Sequence, residues 1–278
     1  KVRYAWDSDY FYEESDGFPD RVRMPNLMVG ITAWNEQIPL PAAYFASNSG
    51  SFWKIPLTPA PASVPYSISS TTFLRGAIAL SADGIPIFNP ANNTGRYSYD
   101  LGELDAYGGH AGMADDYHYH IAPVHLTPVL GNNTPIAWVL DGYPMYGYVE
   151  PDGGPLQPLD SCGGHDHGGL GYHYHAIGRF DGTQWIPTAP YMNAKFYGTV
   201  SYVDRQVDPQ PSVVPIRSER SDGVGYQAQP LPGATITRFA NPVALTSSSG
   251  HLIEDTAGSA IASADAFLMS FLLSLIHI

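Results

Sequence analysis

Two segments of the chain carry the same sequence pattern, and this repeat constrains the fold more than any other feature. Residues 104–120 read LDAYGGHAGMADDYHYH and residues 159–175 read LDSCGGHDHGGLGYHYH, so nine of 17 positions agree at a shift of 55. The shared positions include rare residue types, histidine and tyrosine, in the same order. Chance does not produce such an ungapped match, and the repeat predicts a duplicated structural unit.

The repeat extends upstream as a strand followed by an Asp-Gly turn. The string Ile78-Ala79 with Asp83-Gly84-Ile85-Pro86 is echoed by Ile136-Ala137 with Asp141-Gly142-Tyr143-Pro144, at a shift of 58. Asp-Gly favours a tight hairpin because both residues tolerate positive φ. Each half, over about residues 77–120 and 135–175, is therefore predicted to hold a strand, a turn, a loop and a Tyr-His-Tyr-His strand. A pseudo-twofold axis is expected to relate the halves.

The apolar runs of the chain are typical of a mainly β protein. They are short, β-branched or alternating, and each is closed by Gly, Pro, Asn or Asp, as at 27–32, 77–80, 136–140 and 197–203. No long run with helical periodicity appears before residue 255. We therefore expect a sandwich or barrel with long loops, and 44% hydrophobic residues suffice for a core.

Composition divides the chain into three parts. Residues 1–205 are the predicted β domain, and residues 206–250 are a Pro- and Ser-rich extension. Residues 251–278 form a terminal segment whose apolar end, 266–278, is too short to span a bilayer unless the chain continues. A truncated anchor, a packed helix and a non-native end all stay open for it, and membrane attachment is unsupported.

The histidines of the repeat have the spacing of metal ligands. In a β-strand alternate side chains share a face, so the two histidines of each Tyr-His-Tyr-His strand point one way and the tyrosines the other. A flexible Gly-Gly pair precedes a third histidine in each half. The predicted metal ligands are His110, His118 and His120 in the first half, and His165, His173 and His175 in the second.

Three imidazoles per half leave room for an open coordination position, as in catalytic zinc sites, and imidazole suits copper equally well. Zinc and copper are therefore both candidate cofactors. A hybrid, in which both sets form one site, also stays open. The alternative without an ion is a set of stacked, hydrogen-bonded strand surfaces.

Several other residues are candidates for supporting roles. Asp105 and Asp160 recur five residues before each Gly-Gly-His, where each is a direct ligand, an acceptor that orients a histidine, or a turn cap. Asp116, Tyr117 and Tyr172 are candidate catalytic residues, because a carboxylate or phenol beside a metal-bound water can relay a proton. Asp116 has no acidic counterpart in the second half, an asymmetry that would let one half be active and the other structural.

Composition and missing motifs exclude several functional classes. Thirteen Lys and Arg against 26 Asp and Glu give a net charge of -13, which repels a polyphosphate backbone, so nucleic acid is not expected. No nucleotide-binding fingerprint and no Gly-x-Ser-x-Gly elbow is present in the sequence, which disfavours nucleotide partners and serine hydrolysis. The single cysteine, Cys162, rules out a multi-cysteine zinc site, so a metal here needs His and carboxylate ligands.

These strings together resemble the YHYH-domain family. Gly-Gly-His, Asp-Asp-Tyr-His-Tyr-His, Asp-Gly-Tyr-Pro-Met-Tyr-Gly and a second Gly-Tyr-His-Tyr-His occur in order, and the resemblance covers about residues 15–205. It implies a domain identity and an exported protein, without implying a reaction. Tyr107 departs from the family, whose members often carry Cys there. If that Cys pairs with the one matching Cys162, this chain lacks the bridge.

We therefore expect a secreted or extracytoplasmic, histidine-rich metal-binding protein. Scarce lysine and two N-x-Thr sequons, at Asn92 and Asn132, favour export. One possible function is a zinc or copper metalloenzyme that activates water or an oxidant. The others are a non-catalytic metal-handling module and an extracellular domain that binds glycan or protein. The sequence does not indicate a substrate.

Overall fold

The computed structural model of the chain describes residues 2–6, 9–15, 53–74, 76–111, 117–203, 206–207 and 253–254. β-Strands dominate this part of the chain, which confirms the prediction of a mainly β fold. In chain order they are β1 (Val2–Trp6), β2 (Tyr10–Ser15), β3 (Trp53–Pro56), β4 (Pro61–Ser67), β5 (Ala77–Ser81), β6 (Pro86–Phe88), β7 (Gly109–Ala111), β8 (Tyr117–Tyr119), β9 (Ala137–Val139), β10 (Pro144–Tyr146), β11 (Gly164–Asp166), β12 (Tyr172–His175), β13 (Gly178–Phe180), β14 (Trp185–Pro187), β15 (Lys195–Gly198), β16 (Tyr202–Val203), β17 (Gln206–Val207) and β18 (Ile253–Glu254). Helical structure in the described residues is a 3-10 turn at Val124–Leu126 and the short helix α1 (Thr127–Leu130).

An eight-stranded sheet carries both copies of the repeated sequence. Its strand order is β11-β12-β10-β9-β5-β6-β8-β7, with β6 parallel to β8, β10 parallel to β12 and the other neighbours antiparallel. The sheet is open, and no barrel closes within the residues described. A four-stranded sheet, β18-β1-β2-β3, and the pairs β13-β14, β15-β4 and β16-β17 complete the strand pairing.

The two repeat halves have the same strand order, counted from the middle of the central sheet to its edges. The order is β5-β6-β8-β7 in the first half and β9-β10-β12-β11 in the second. At its middle, β5 pairs antiparallel with β9, and Leu80 lies opposite Trp138. These two residues correspond to each other at the predicted shift of 58. The register is therefore the one that a pseudo-twofold axis between Leu80 and Trp138 produces, although duplication itself stays a prediction from the sequence.

The two Asp-Gly turns differ from the expected form. Gly84 and Gly142 have φ of +80° and +98°, whereas Asp83 and Asp141 are not among the residues with positive φ. Each turn has three loop residues, with the Gly142 N–H donating to Val139 O at 2.8 Å and the corresponding Gly84 bond at 2.9 Å. Only the glycine needs the left-handed region, as in a type I turn followed by a bulge.

The core lies around the middle of the eight-stranded sheet. All five residues of β5 are buried, and Trp138 and Phe196 are among the largest fully buried side chains. β-Branched and aromatic residues in these strands pack on both faces, as expected for strands covered on each side. Val207, from the predicted extension, is also buried in this core.

Some sequence-based predictions lie outside the described residues. They include Asp116, the apolar run 27–32, most of the extension 206–250 and the apolar end 266–278. Within the terminal segment, Ile253–Glu254 pairs with β1. Among the described helices, none has the length and apolar character needed to cross a membrane.

Candidate metal centres

Four side chains of the second repeat half converge on one point. Glu150, His165, His173 and His175 each offer a ligand atom, and these atoms lie within 4.8 Å of one another. We call this set the second centre. The strands place it, because His165 on β11 lies opposite His173 on β12, and Glu150 follows β10, which runs parallel to β12. His175 shares a face with His173 because side chains alternate along a strand.

Backbone carbonyls orient each imidazole of the second centre. The three pairs, with Nδ1 to oxygen distances, are His165 with Pro158 (3.2 Å), His173 with Gly171 (2.9 Å) and His175 with Gly147 (2.9 Å). A carbonyl only accepts, so Nδ1 carries the proton and Nε2 keeps a free lone pair. Metal-ligating histidines in proteins are oriented by outer hydrogen bonds of this kind.

The inward-facing atoms of the second centre are buried and, among the described residues, have no hydrogen-bond partner. They are Glu150 Oε2 and the Nε2 atoms of His165, His173 and His175. Glu150 carboxylate oxygens lie 3.5 Å, 3.9 Å and 3.6 Å from Nε2 of His165, His173 and His175, respectively. Each unsatisfied buried polar group costs about 1–3 kcal/mol. Neighbouring ligands of a tetrahedral zinc ion lie about 3.3 Å apart, so a shared ion would satisfy all four atoms with little movement.

The first centre consists of His110, His118 and His120, which are all buried. His110 on β7 lies opposite His118 on β8, as His165 lies opposite His173 in the other half. The Nε2 atom of His120 is 3.0 Å from that of His118 and 3.2 Å from that of His110. The Phe88 ring stacks on His118 at 4.2 Å between centroids and holds that imidazole in place.

Hydrogen bonds also fix two imidazoles of the first centre. Nδ1 of His110 donates to Glu103 O at 3.1 Å, and Nδ1 of His120 donates to Asn89 O at 2.6 Å. Their Nε2 atoms are therefore both acceptors in the neutral state, and they face each other at 3.2 Å. Two lone pairs at this distance repel, whereas a cation between them binds both.

Burial keeps these imidazoles in the neutral form that binds metal. Burial lowers the pKa of His110, and burial together with the neighbouring His110 lowers the pKa of His120 to about 3. In the second centre, burial lowers the pKa of His173, and it lowers that of His175 to about 4. Neutral imidazole needs no deprotonation before it binds an ion.

Glu150 is held as a carboxylate. Burial acts to raise the pKa of Glu150. The hydrogen bond from the Gln157 N–H and the nearby histidines together lower it by more, so the pKa lies below its ordinary value. The Gln157 N–H donates to Glu150 Oε1 at 2.7 Å, and this leaves Oε2 facing the histidines.

Glycine at one position in each half allows the close strand pairing. A Cβ atom on Gly109 would lie 2.6 Å from His118 O and 2.7 Å from the Tyr117 hydroxyl. A Cβ on Gly164 would meet His173 O and the Tyr172 hydroxyl in the same way. The glycine that precedes each first histidine of the motif is therefore required by packing against the Tyr-His-Tyr-His strand.

The structure places Asp105 and Asp160 in turns, outside both sets of converging ligand atoms. Asp105 Oδ1 accepts the N–H groups of Tyr107 and Gly109 at 2.9 Å and 3.1 Å. Asp160 Oδ1 accepts the N–H of Cys162 at 2.7 Å. Both aspartates thus shape the loop that leads to the Gly-Gly-His segment, which is the turn-capping role left open by the sequence.

The tyrosines point away from the histidines on the same strands. The Tyr117 hydroxyl donates to Asp105 Oδ2 at 2.7 Å, and the Tyr172 hydroxyl donates to Asp160 at 3.1 Å. Burial and Asp160 raise the pKa of Tyr172. Tyr117 and Tyr172, two of the three candidate catalytic residues, therefore lie on the strand face opposite the histidines. The third, Asp116, lies outside the described part of the chain.

Glu150 is a candidate ligand that sequence reasoning missed. It corresponds to Asn92 at the shift of 58, so no acidic residue recurs there. Between residues 89–95 and 147–153 the only identical pair is Gly95 and Gly153, so the sequence carried little signal. The correspondence is visible in the structure, where Gly95 N–H donates to Asn92 O and Gly153 N–H donates to Glu150 O, both at 2.8 Å. A repeat searched for shared residues does not reveal a ligand present in only one copy.

Comparison with known proteins identifies part of the chain. Residues 52–153 match the family model of the YHYH protein family. The matched range includes the first centre and extends just past Glu150, and it is shorter than the range expected from the sequence. No curated protein and no solved structure matches the chain. The chain therefore carries a YHYH family domain over residues 52–153, as the sequence resemblance predicted.

Proposed function

We propose that this protein binds zinc or copper at the two histidine centres and that it functions outside the cytoplasm. The observation that carries the proposal is the second centre, where four buried atoms from Glu150, His165, His173 and His175 converge and, among the described residues, have no hydrogen-bond partner. A folded protein rarely leaves one such atom unsatisfied, because each costs stability.

The donor atoms favour late first-row metals. Six neutral imidazoles and one carboxylate suit zinc and copper, whereas calcium and magnesium take oxygen ligands. Two separate ligand groups also favour two sites over one site shared by both halves. A purely structural histidine network explains the geometry less well, because the Nε2 lone pairs of His110 and His120 face each other.

The closed character of the second centre favours a binding or stabilising role for its metal. Three histidines and one carboxylate complete a tetrahedral set, as in structural zinc sites. Export is supported by the same sequence features as before and by the exposure of Asn132, the first residue of one sequon. Exposed loop positions are where N-linked glycans are carried.

Metal content per chain tests the proposal. Protein purified without a histidine tag, supplied with zinc or copper and dialysed against a weak chelator, should retain about two ions per chain by inductively coupled plasma mass spectrometry. His173→Ala and His118→Ala should each lose about one ion, since each removes one ligand of one centre.

His167→Ala is the matched control. Its ring lies 5.6 Å from that of His165, but it belongs to neither ligand group. This variant should keep both ions. A folded wild-type chain that takes up neither zinc nor copper would show the proposal to be wrong and would favour an interaction domain with structural histidines.

A further inference from the structure

Among the residues that the structure describes, the two centres differ at one ligand position. We propose that the first centre keeps an exchangeable fourth position that takes hydroxide or another small inorganic anion, whereas Glu150 closes the second centre. This inference rests on the proposed metal binding and adds a ligand class to one of the two sites. It depends on which residue of the first half stands where Glu150 stands in the second.

Equivalent backbone contacts identify that residue. The turn after β6 contains a bridge between Ala91 and Tyr97, and the turn after β10 contains a bridge between Val149 and Pro155, each displaced by 58 positions. The orienting carbonyls of the histidines also correspond, Asn89 with Gly147 and Glu103 with Pro158. Asn92 therefore occupies the structural position of Glu150.

The side chain of Asn92 is committed to other partners. Its Nδ2 donates to Glu103 Oε1 and Oε2 at 3.0 Å and 3.3 Å, and its Oδ1 accepts the Thr94 N–H and hydroxyl at 2.9 Å and 2.6 Å. Glu103 is buried and lies outside the group of converging ligand atoms. The carboxylate of the first half thus holds Asn92, while the carboxylate of the second half faces the histidines directly.

Asn92 in the first half and Glu150 in the second give the two metal-loaded centres different charges. A divalent ion with three neutral histidines carries two positive charges, whereas the same ion with Glu150 included carries one. The buried Glu103 carboxylate lies close enough to His110 to act on this charge, but it offers no ligand atom to the first centre. A directly bound anion therefore still reduces the cost of burying the charge. Zinc held by three histidines would lower the pKa of a bound water to about 7, so hydroxide is one anion that this position would take. The first centre is therefore the one suited to activating water.

Cobalt and azide provide the test. The full chain is loaded with Co²⁺, and its visible absorption, which is sensitive to coordination, is followed while azide is added. We expect two cobalt ions per chain and a saturable azide response that involves about half of the cobalt absorption. His167→Ala, with both centres intact, should behave like the wild type.

Variants that add a carboxylate to the first centre or remove it from the second show which centre gives the azide response. Asn92→Glu combined with Glu103→Gln should retain two cobalt ions and lose the azide response, because the new carboxylate fills the fourth position. Glu150→Gln should add a second responding cobalt. Far-ultraviolet circular dichroism identifies any variant that does not fold. The azide titration of the wild type tests whether an open position exists, whether or not the variants fold.

The outcomes separate this inference from the proposed function. A chain that takes up no cobalt, zinc or copper overturns the proposed function. Two bound cobalt ions with no azide response overturn only the open position, including the case in which an acidic residue of this chain occupies it. A response that persists in the Asn92→Glu, Glu103→Gln variant and disappears in His173→Ala, which removes a ligand of the second centre, would place the anion at the second centre and overturn the assignment.

Discussion

Glu150 Oε2 lies 3.6 Å from His175 Nε2, and both atoms are buried without a hydrogen-bond partner among the described residues. The other end of each group is satisfied, since the Gln157 N–H binds Glu150 Oε1 and Gly147 O accepts from His175 Nδ1. The pair is thus oriented inward by its surroundings. A carboxylate and a neutral imidazole held in this way are preorganised for a cation.

Metal should stabilise the folded chain through the second centre. Zinc at about 100 times its dissociation constant adds about 2.7 kcal/mol to the free energy of unfolding, provided that the unfolded chain does not bind it. We expect the thermal midpoint to rise with zinc and to fall with a chelator. Differential scanning calorimetry of the wild type and Glu150→Ala measures this, and the variant should lose much of the zinc-dependent increase. An equal increase in both proteins would contradict the role of Glu150.

Gly164→Ala should disrupt the second centre. The added Cβ would contact His173 O and lie 2.7 Å from the Tyr172 hydroxyl, so β11 must move away from β12 and carry His165 with it. Overpacking of this kind costs about 1–3 kcal/mol. We expect loss of about one metal ion per chain together with lower stability in urea unfolding.

Gly168→Ala is the control for Gly164→Ala. Gly168 has φ of +66°, and a Cβ added there would have nothing within 4 Å, so the substitution strains the backbone without a clash. It should cost about 1–2 kcal/mol and leave both ions bound. If the two variants lose metal equally, backbone strain in the loop rather than the close approach of β11 and β12 explains the effect.

Asp141 should make stability depend on pH. It is fully buried, and burial raises its pKa from 3.8 to about 6 although Tyr174, Gly198 and Tyr143 donate hydrogen bonds to it. The folded state therefore binds this proton more tightly than the unfolded state does. Its stabilising contribution is full below pH 3.8 and is lost as the pH rises to about 6, a change of about 3 kcal/mol.

Asp141→Asn removes this titration. Urea unfolding of both proteins at several pH values between about 4 and 7, with chelator present, gives the difference in free energy of unfolding at each pH. The difference, wild type minus variant, should fall as the pH rises. A difference that is constant over this range would show that the three hydrogen bonds keep Asp141 ionised throughout.

The two sequons should behave differently if the chain passes through a glycosylating secretory pathway. Asn132 is exposed, whereas Asn92 is half-buried and its Nδ2 donates to Glu103. A glycan on Asn92 would break that bond, so we expect one glycan, at Asn132. Intact mass of the secreted protein, with Asn132→Gln as the comparison, measures it. A glycan retained in Asn132→Gln would contradict the assignment.

Local sequence patterns were enough to predict which histidines share a strand face and where the turns lie. Strand alternation placed His118 with His120 and His173 with His175 on common faces, because the period of two is a property of any extended backbone. The recurrence of Gly-Gly-His predicted the third histidine of each set. The positions of the Asp-Gly turns were predicted correctly, but their loop length and the φ of the aspartate were not. Two-residue and three-residue hairpin loops can both contain Asp-Gly.

The sequence by itself determined the mainly β class, the six histidines and their division into two sets, since these follow from residue type and short spacing. Tertiary structure alone decided the fourth candidate ligand, because Glu150 reaches the second centre through the parallel pairing of β10 with β12, a contact between distant parts of the chain. It also decided that Asp105 and Asp160 cap turns. A side chain's partner depends on strand order and register, and these are set by packing of the whole sheet.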